Sequence, residues 1–210
     1  MTDRRLRKLG RRIVVDITPL RQSVPFRWLY LGSVAGFVGR QITVVAVPYQ
    51  LYVLTGSTLA VGLLGLVQLV PLLVVSLAAG AIVDAFDRRR VLLASQVLLA
   101  STGLGLAFNG SLDTPLVWPL YVLSGLNAGL STLDSPSRMS MLPSLVRREQ
   151  FPAAMALQHT LVNVGQAVVP ALTGVLLAKV SFTAAYLAEA VAFLGAAFLV
   201  GKLPALRPEG

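Results

Sequence analysis

Two long apolar runs of this chain are joined by the stretch Gly80-Ala81-Ile82-Val83-Asp84-Ala85-Phe86-Asp87-Arg88-Arg89-Arg90. No charged residue occurs in 59–83 or in 91–108, whereas five of the seven residues in 84–90 are charged. A helix needs about 20 predominantly apolar residues to cross the hydrocarbon core of a bilayer. The pattern predicts two membrane-spanning helices joined by a tight hairpin, with its basic tip in the cytoplasm.

Composition extends this interpretation to the whole chain. Of its 210 residues, 55% are hydrophobic and only 13% are charged, whereas about a quarter of the residues of a soluble domain are charged. We therefore expect an integral membrane protein. The net charge of +9 comes from short basic clusters between apolar runs, a pattern typical of membrane orientation rather than of nucleic-acid binding.

Several chemistries are excluded by residues that the sequence lacks. The chain has no cysteine and a single histidine, His159, which excludes disulfides, thiolate metal sites and histidine clusters. It has no GxxxxGK[ST] loop for ATP, and no Gly-x-Ser-Gly tetrapeptide of the kind that an intramembrane serine protease requires. We expect no enzyme activity, no metal and no cofactor.

Six segments are long and apolar enough to span a bilayer, and only helices and closed barrels satisfy their backbone groups in lipid. The sequence therefore predicts an all-α membrane protein with spans at 28–54, 59–83, 91–108, 116–138, 153–178 and 182–199. Pro48 and Pro170 lie inside two of these spans and could break them. A basic segment, 1–27, precedes the spans, and 200–210 follows them.

The basic segment has two interpretations. Leu6, Leu9 and Ile13 recur at helical spacing, so part of it could lie on anionic headgroups as a short amphipathic helix. The alternative is a disordered basic tail that keeps the N-terminus in the cytoplasm. Its only apolar patch, 13–15, is shorter than the core of about 7 to 15 residues that a secretory signal needs.

Lysine and arginine are distributed asymmetrically between the two sets of connections. Eight precede the first span, three follow the second, two follow the fourth and two lie after the sixth, whereas the opposite side has only Lys179. Because cytoplasmic loops retain positive charge, both termini are predicted to be cytoplasmic. The expected location is the cell membrane, with the protein crossing it several times.

Polar residues at steps of three and four predict which spans line a cavity, since lipid-facing surfaces are apolar. Spans one, two, four and five carry such stripes, and spans three and six look peripheral. Each half of the chain thus has two lining helices and one outer helix, as in a pair of inverted three-helix repeats. The stripes are Ser33, Gly36, Arg40, Thr43, Gln50; Gly65, Gln68, Ser76, Gly80; Ser124, Asn127, Ser131, Asp134, Arg138; and His159, Asn163, Gln166, Pro170, Thr173.

The hairpin resembles the motif between spans two and three of the major facilitator superfamily, through Gly80, Asp84, Arg88 and Arg89. Ala85 and Asp87 depart from that motif, which has arginine and a small residue at these places. The stretches Ser135-Pro136-Ser137-Arg138 and Met141-Leu142-Pro143-Ser144-Leu145-Val146 resemble siderophore and drug exporters, notably the enterobactin exporter type. Gly165, Pro170 and Gly174 are similar to an antiporter motif, although Val169 and Thr173 replace two of its glycines.

The resemblance implies the N-terminal six-span half of a major facilitator fold and proton-coupled export of drugs or siderophore-like small molecules. It also implies a second six-span half, which is either part of the same chain, a copy of this one, or a separate protein. The alternative interpretation is a membrane assembly or regulatory subunit that moves no solute.

Candidate site residues fall into three groups. Asp84 and the hairpin arginines are expected to latch onto Asp134 and Arg138 and close an inner gate; alternatively, the arginines only orient the chain. Arg40, near the middle of span one, is expected either to bind an anionic or hydrogen-bonding substrate or to neutralise Asp134 or Glu189. The remaining cavity candidates are Gln68, Asn127, Asn163 and Gln166, and the proton-coupling candidates are Asp134, Glu189 and His159.

Overall fold

A computed structural model of the protein describes residues 16–203, without the side chains of 82–84. The residues that it describes form helices and no strand, which confirms the all-α prediction. The helices are α1 Thr18–Gln22, α2 Val24–Thr55, α3 Thr58–Ala85, α4 Arg88–Gly110, α5 Trp118–Ser131, α6 Asp134–Leu145, a 3₁₀ turn at Arg148–Gln150, α7 Phe151–Lys179 and α8 Phe182–Gly201. The segment 1–15, with its two interpretations, and residues 204–210 lie outside the described part.

The fourth predicted span, 116–138, is divided between two helices. Five helices, α2, α3, α4, α7 and α8, are each long and apolar enough to cross a bilayer. The remaining predicted span falls on α5 and α6, which are separated by Thr132 and Leu133. The backbone N–H groups of these two residues bond three residues back, at 3.1 and 3.2 Å, instead of four.

Pro136 accounts for this break. It is the third residue of α6, and a proline has no N–H to donate to the carbonyl four residues earlier, with which its ring also clashes. A continuous helix through Thr132 is therefore unfavourable. Pro48 and Pro170, in contrast, lie inside α2 and α7, which continue through them.

The charged hairpin is more helical than the sequence predicts. Helix α3 continues through Asp84 to Ala85, and the three arginines form the first turn of α4, so the connection is only Phe86 and Asp87. Asp87 caps α4 by accepting hydrogen bonds from the backbone N–H groups of Arg89 and Arg90, at 2.9 and 3.3 Å. An aspartate at this position satisfies N–H groups that a helix start leaves unpaired.

The helices divide into a tightly packed group and an exposed group. Helix α8 packs along both α4 and α2, while α3 packs mainly on α5, and α7 packs mainly on α2. Glu189 of α8 is completely buried in the bundle, although its helix, predicted to be peripheral, lines neither of the two cavities described below. Gly32 and Gly36 of α2 also face the inside of the bundle, with α8, Gln96 and Arg138 around them.

The elements with predicted cytoplasmic ends meet at one end of the bundle. Ser23, before α2, donates to the carbonyl of Leu145 at the end of α6, at 2.7 Å. The ammonium of Lys202, after α8, lies 4.5 Å from the ring centroid of Trp28. At the opposite end, the rings of Tyr49 and Phe182 lie 5.6 Å apart.

Candidate functional site

Arg138 is the centre of a buried polar cluster that joins α6 to α2. Its Nε donates to Asp134 Oδ2 at 2.9 Å, one turn earlier on α6. Its Nη1 donates to Ser33 Oγ at 3.0 Å and to the carbonyl of Leu29 at 3.3 Å, and its Nη2 donates to the carbonyl of Gly32 at 3.4 Å. Only 6% of the Arg138 side chain is exposed. Its guanidinium joins α6 to α2, because it pairs with Asp134 and donates hydrogen bonds to Ser33, Leu29 and Gly32.

Gln96 of α4 joins a third helix to this cluster. Its Nε2 donates to Asp134 Oδ1 at 2.6 Å. Gly36 makes room for the pair, since a Cβ there would lie 3.3 Å from Gln96 Oε1 and 3.4 Å from Arg138 Nη2. The spacing of Asp134 and Arg138 predicts that they share one face, whereas Gln96, an uncharged polar residue within an apolar run, was not among the predicted site residues.

The hairpin arginines reach different parts of the bundle. Arg88 Nη1 donates to the carbonyl of Ser140 in α6, at 3.1 Å. Arg89 Nη2 donates to the carbonyl of Gly201 at the end of α8. The two arginines thus hold the start of α4 against the middle of α6 and the end of α8, and these hydrogen bonds go to backbone oxygens rather than to Asp134. The side chain of Asp84 is outside the described part, and Gly80 faces open space.

A cavity of about 360 Å³ lies between α2, α3 and α5, and we call it the α3-side cavity. Its polar side chains come from each of these helices, and they alternate with aliphatic ones such as Val44 and Leu72. This mixture suits a small molecule with both polar and apolar groups. The polar lining residues are Arg40, Thr43, Gln68, Ser124, Asn127, Ser131 and Thr132.

A second cavity of about 250 Å³ lies between α2, α6 and α7, and we call it the α7-side cavity. Asp134 and Arg138 lie on its wall, together with Gln158 and His159 of α7. Thr132 lines the first cavity and Asp134 the second, so the break between α5 and α6 lies where the two cavities meet.

Arg40 lines both cavities and is the residue that they share. It lies near the midpoint of α2, half-buried, with its guanidinium carbon 5.8 Å from the ring centroid of Phe37. Within the described residues Arg40 forms no ion pair. The two carboxylates considered as its partners bond elsewhere: Asp134 pairs with Arg138, and Glu189 accepts a hydrogen bond from Asn127. A cation without a counter-ion at this depth is costly in a membrane, and an anionic or hydrogen-bonding ligand would reduce that cost.

Asn127 connects the α3-side cavity to a second buried polar cluster. Its Nδ2 donates to Glu189 Oε1 at 3.0 Å and to Thr102 Oγ1 at 3.3 Å. The hydroxyl of Thr43, another cavity residue, lies beside the Glu189 carboxylate. Thr102, which is buried in the bundle, was not among the predicted site residues because its span carries no polar stripe.

Three predicted residues of α7 are exposed. Asn163 and Gln166 are exposed and do not line either of the two cavities. His159 is also exposed, at the edge of the α7-side cavity. The predicted site therefore separates into Arg40, Gln68 and Asn127 at the α3-side cavity, the Asp134–Arg138 pair at the other, and an exposed polar face on α7.

Comparison with known proteins identifies the family. The family described as "Transmembrane secretion effector" matches residues 15–207, which is nearly the whole chain. The chain belongs to the transmembrane secretion effector family. This is a family of major facilitator transporters, so the resemblance found in the hairpin and in the fourth span is confirmed.

Curated relatives of this transmembrane secretion effector protein are named enterobactin exporters. The exporter of Citrobacter koseri is 29% identical over 196 residues, which are 93% of this chain and 47% of the relative. That of Escherichia coli O127:H6 is 28% identical over the same shares of the two proteins. That of Salmonella choleraesuis is 27% identical over 79% of this chain and 40% of the relative. The chain thus spans about half the length of the curated relatives it matches.

Proposed function

We propose that this chain forms the N-terminal six-span half of an exporter for siderophore-like small molecules or drugs. The observation that carries the proposal is Arg40, a membrane-embedded cation without an ion-pair partner among the described residues, on the wall that two cavities share. Arg40 would bind an acidic or strongly hydrogen-bonding group of the substrate, while Gln68 and Asn127 bind other polar groups.

The relatives support the substrate class. They are named as exporters of enterobactin, and they match 93% of this chain. By this likeness, the chain would export a siderophore of a similar kind. Its location would be the cell membrane, with both termini in the cytoplasm as the positive charges indicate.

A second six-span half would complete the substrate pathway. It would be supplied by the same polypeptide, by another copy of this chain, or by a separate protein. The exposed polar side chains of Asn163 and Gln166 support this proposal, since they are unfavourable against lipid and would face the other half.

The cytoplasmic hairpin would act as a latch. Arg88 and Arg89 hold the start of α4 against Ser140 and Gly201. Ser140 follows Arg138 closely in α6. Movement of α6 about the break at Thr132 and Leu133 would require these contacts and the Arg138 contacts to α2 to change together. Asp84, which precedes the two arginines in the chain, would supply a carboxylate to the latch.

Export would be driven by protons, through a carboxylate or imidazole inside the membrane. Asp134, Glu189 and His159 are the groups proposed for this task. Their environments differ: Asp134 is paired with Arg138, Glu189 is buried without a cation, and His159 is exposed.

The export proposal is tested in Escherichia coli cells that lack their own enterobactin exporter. The chain is expressed alone, and also fused to the second half of that exporter, and siderophore in the medium is measured. We expect export in at least one of these strains. Failure in both, with protein in the membrane at normal level, would contradict the proposal and favour a subunit that moves no solute.

The role of Arg40 is tested by Arg40→Gln in the exporting strain. A hydrogen bond to a charged group is worth about 1.5–3 kcal/mol, so we expect the apparent affinity for the siderophore to fall by about tenfold or more. The matched control is Arg90→Gln, since Arg90 is exposed and should have little effect. Loss of the protein itself from the membrane, with unchanged affinity in the remainder, would assign Arg40 a structural role.

A further inference from the structure

Glu189 is a carboxyl group with an incomplete set of partners. It lies in the middle of α8 and is completely buried. Its Oε1 accepts a hydrogen bond from Asn127 Nδ2 at 3.0 Å, whereas its Oε2 has no hydrogen-bond partner. A buried oxygen of this kind is costly when it carries charge.

The groups that face Glu189 do not neutralise it. Helix α2 presents the hydroxyl of Thr43, α4 presents Thr102 through Asn127, and α5 presents Asn127 itself. On its own helix, one turn away, the hydroxyl of Tyr186 donates to Gln50 Oε1 at 2.7 Å. Within the described residues Glu189 has no ion pair. An isolated carboxylate in such surroundings takes up a proton rather than remain charged.

The charged groups elsewhere in the interior are arranged differently. Arg138 is held by Asp134, and Asp134 also accepts a hydrogen bond from Gln96. Arg40 lines the same cavity as Asn127 but forms no ion pair with Glu189. Glu189 is therefore the interior carboxyl group whose surroundings favour a neutral acid.

Two side chains connect Glu189 to the α3-side cavity. Thr43 and Asn127 both line this cavity and both adjoin the carboxyl group. The Thr43 hydroxyl has no hydrogen-bond partner of its own, and it carries one proton and two lone pairs. It can accept a hydrogen bond from protonated Glu189 or donate one to the ionised form, so it suits both states.

We infer that Glu189 is the group that takes up and releases the transported proton, and that Thr43 and Asn127 connect it to the substrate cavity. A hydronium ion in the cavity gives a proton to Thr43 Oγ1 and becomes water, while the hydroxyl proton of Thr43 passes to the Glu189 carboxylate, and release reverses both transfers. This inference rests on the proposed transport function, and it selects one of the three candidate groups.

The same arrangement couples proton binding to substrate binding. Asn127 supplies the hydrogen bond that stabilises ionised Glu189. A substrate that binds the Asn127 amide in the cavity changes that stabilisation, and by linkage the protonation state of Glu189 changes the affinity for the substrate. Replacement of Asn127 is therefore expected to change the pH dependence of transport as well as the substrate affinity.

Infrared spectroscopy of the chain in lipid nanodiscs tests the inference without a substrate. The carbonyl stretch of a protonated carboxyl group is followed as the pH is raised. We expect a band that disappears at high pH and that is absent in Glu189→Gln, an amide of nearly the same shape. A spectrum with no pH-dependent band that Glu189→Gln removes would overturn the inference.

The connection through Thr43 is tested by the rate at which the acid exchanges its proton for deuterium. Thr43→Val should slow this exchange by about 100-fold, the lower end of the effect of a positioned proton-transfer group. Thr102→Val is the matched control, since Thr102 is buried beside Asn127 but does not line the cavity. Equal exchange in the two valine variants would overturn the role of Thr43, and this pair remains informative if Glu189→Gln does not fold.

Negative results in the infrared and export experiments contradict different claims. A titrating Glu189 in a chain that exports no siderophore would contradict the proposed function. Export that remains proton-driven in Glu189→Gln would contradict the inference and leave the proposed function intact.

Discussion

Helices α3 and α4 follow one another in the chain, yet they differ in how much of each is buried in the bundle. The most apolar 18-residue stretch of α3 has a mean hydropathy of 2.4, and 6% of its residues are buried. The corresponding stretch of α4 has a mean hydropathy of 1.8, and 56% of its residues are buried. The more apolar helix is thus the more exposed one. In a bilayer, lipid tails are as apolar as leucine, so apolarity does not drive helices together.

Close packing and internal hydrogen bonds explain the difference. In α4, Ser95, Gln96 and Thr102 turn inward, and Gly103 allows α8 to approach until a Cβ there would lie 3.3 Å from the backbone nitrogen of Ala190. In α3, Gly62 and Gly65 face open space, and Leu63, Leu66 and Val67 are exposed, whereas Leu64 between the glycines is buried. Contacts with neighbouring helices, rather than hydropathy, therefore distinguish the buried α4 from the exposed α3.

The largest effect is expected where the polar interior depends on a charge. Arg138→Met would leave the Asp134 carboxylate without its cation in a partly buried site, and breaking a buried ion pair in this way costs about 3–5 kcal/mol. The free energy of unfolding in detergent micelles would be measured by chemical denaturation.

The control for this prediction is Arg90→Met, because Arg90 is exposed at the same end of the bundle. It should change the free energy by less than about 0.5 kcal/mol. Equal effects of the two substitutions would show that the Arg138 cluster does not stabilise the bundle.

A pair of leucine substitutions tests the comparison of α3 and α4 directly. Leu92 of α4 is completely buried, whereas Leu77 of α3 is 87% exposed. Leu92→Ala would leave a cavity and lower the free energy of unfolding by about 2–5 kcal/mol. Leu77→Ala should change it by less than about 0.5 kcal/mol in the same detergent. If Leu77→Ala proved the more damaging, α3 would have to be packed against something in the folded protein.

A smaller effect is expected where α7 meets α2. A Cβ at Gly165 would lie 2.4 Å from Cε1 of Phe37, so Gly165→Ala forces the two helices apart or displaces the ring. Overpacking of this kind costs about 1–3 kcal/mol in the free energy of unfolding.

Gly174→Ala, on the same helix, is the control for this contact. It has nothing within 4 Å and should gain up to about 1 kcal/mol from the better helix propensity of alanine. Addition of Phe37→Leu to Gly165→Ala is expected to restore part of the loss. No recovery in that double variant would exclude the ring as the source of strain.

Some of the site could be predicted from the sequence, and some could not. The spacing of Asp134 and Arg138 predicts that they share a helix face, because one turn separates them, and they do form an ion pair. The partners that complete the cluster, Ser33 and Gln96, come from α2 and α4. No local spacing connects residues so far apart in the chain, so only the packing of the helices brings them together.

The break in the fourth predicted span has a sequence signal, Pro136, that competes with the signal of the apolar run around it. An apolar run of sufficient length predicts one continuous helix, whereas Pro136 removes a backbone hydrogen bond within that run and divides it into α5 and α6. Pro48 and Pro170 carry the same chemistry and do not end their helices. A proline therefore shows where a helix can break, and the surrounding packing decides whether it does.

The sequence by itself determined the apolar helices, the charged connections between them and the family to which the chain belongs. These properties depend on local composition and on motifs of a few residues, which every helix carries within itself. The tertiary structure alone decided that Arg40 lines two cavities and that Glu189 is buried behind Asn127 and Thr43. The reason is physical: lipid and protein interior are equally apolar, so a polar residue acquires its role only from the helices that pack around it.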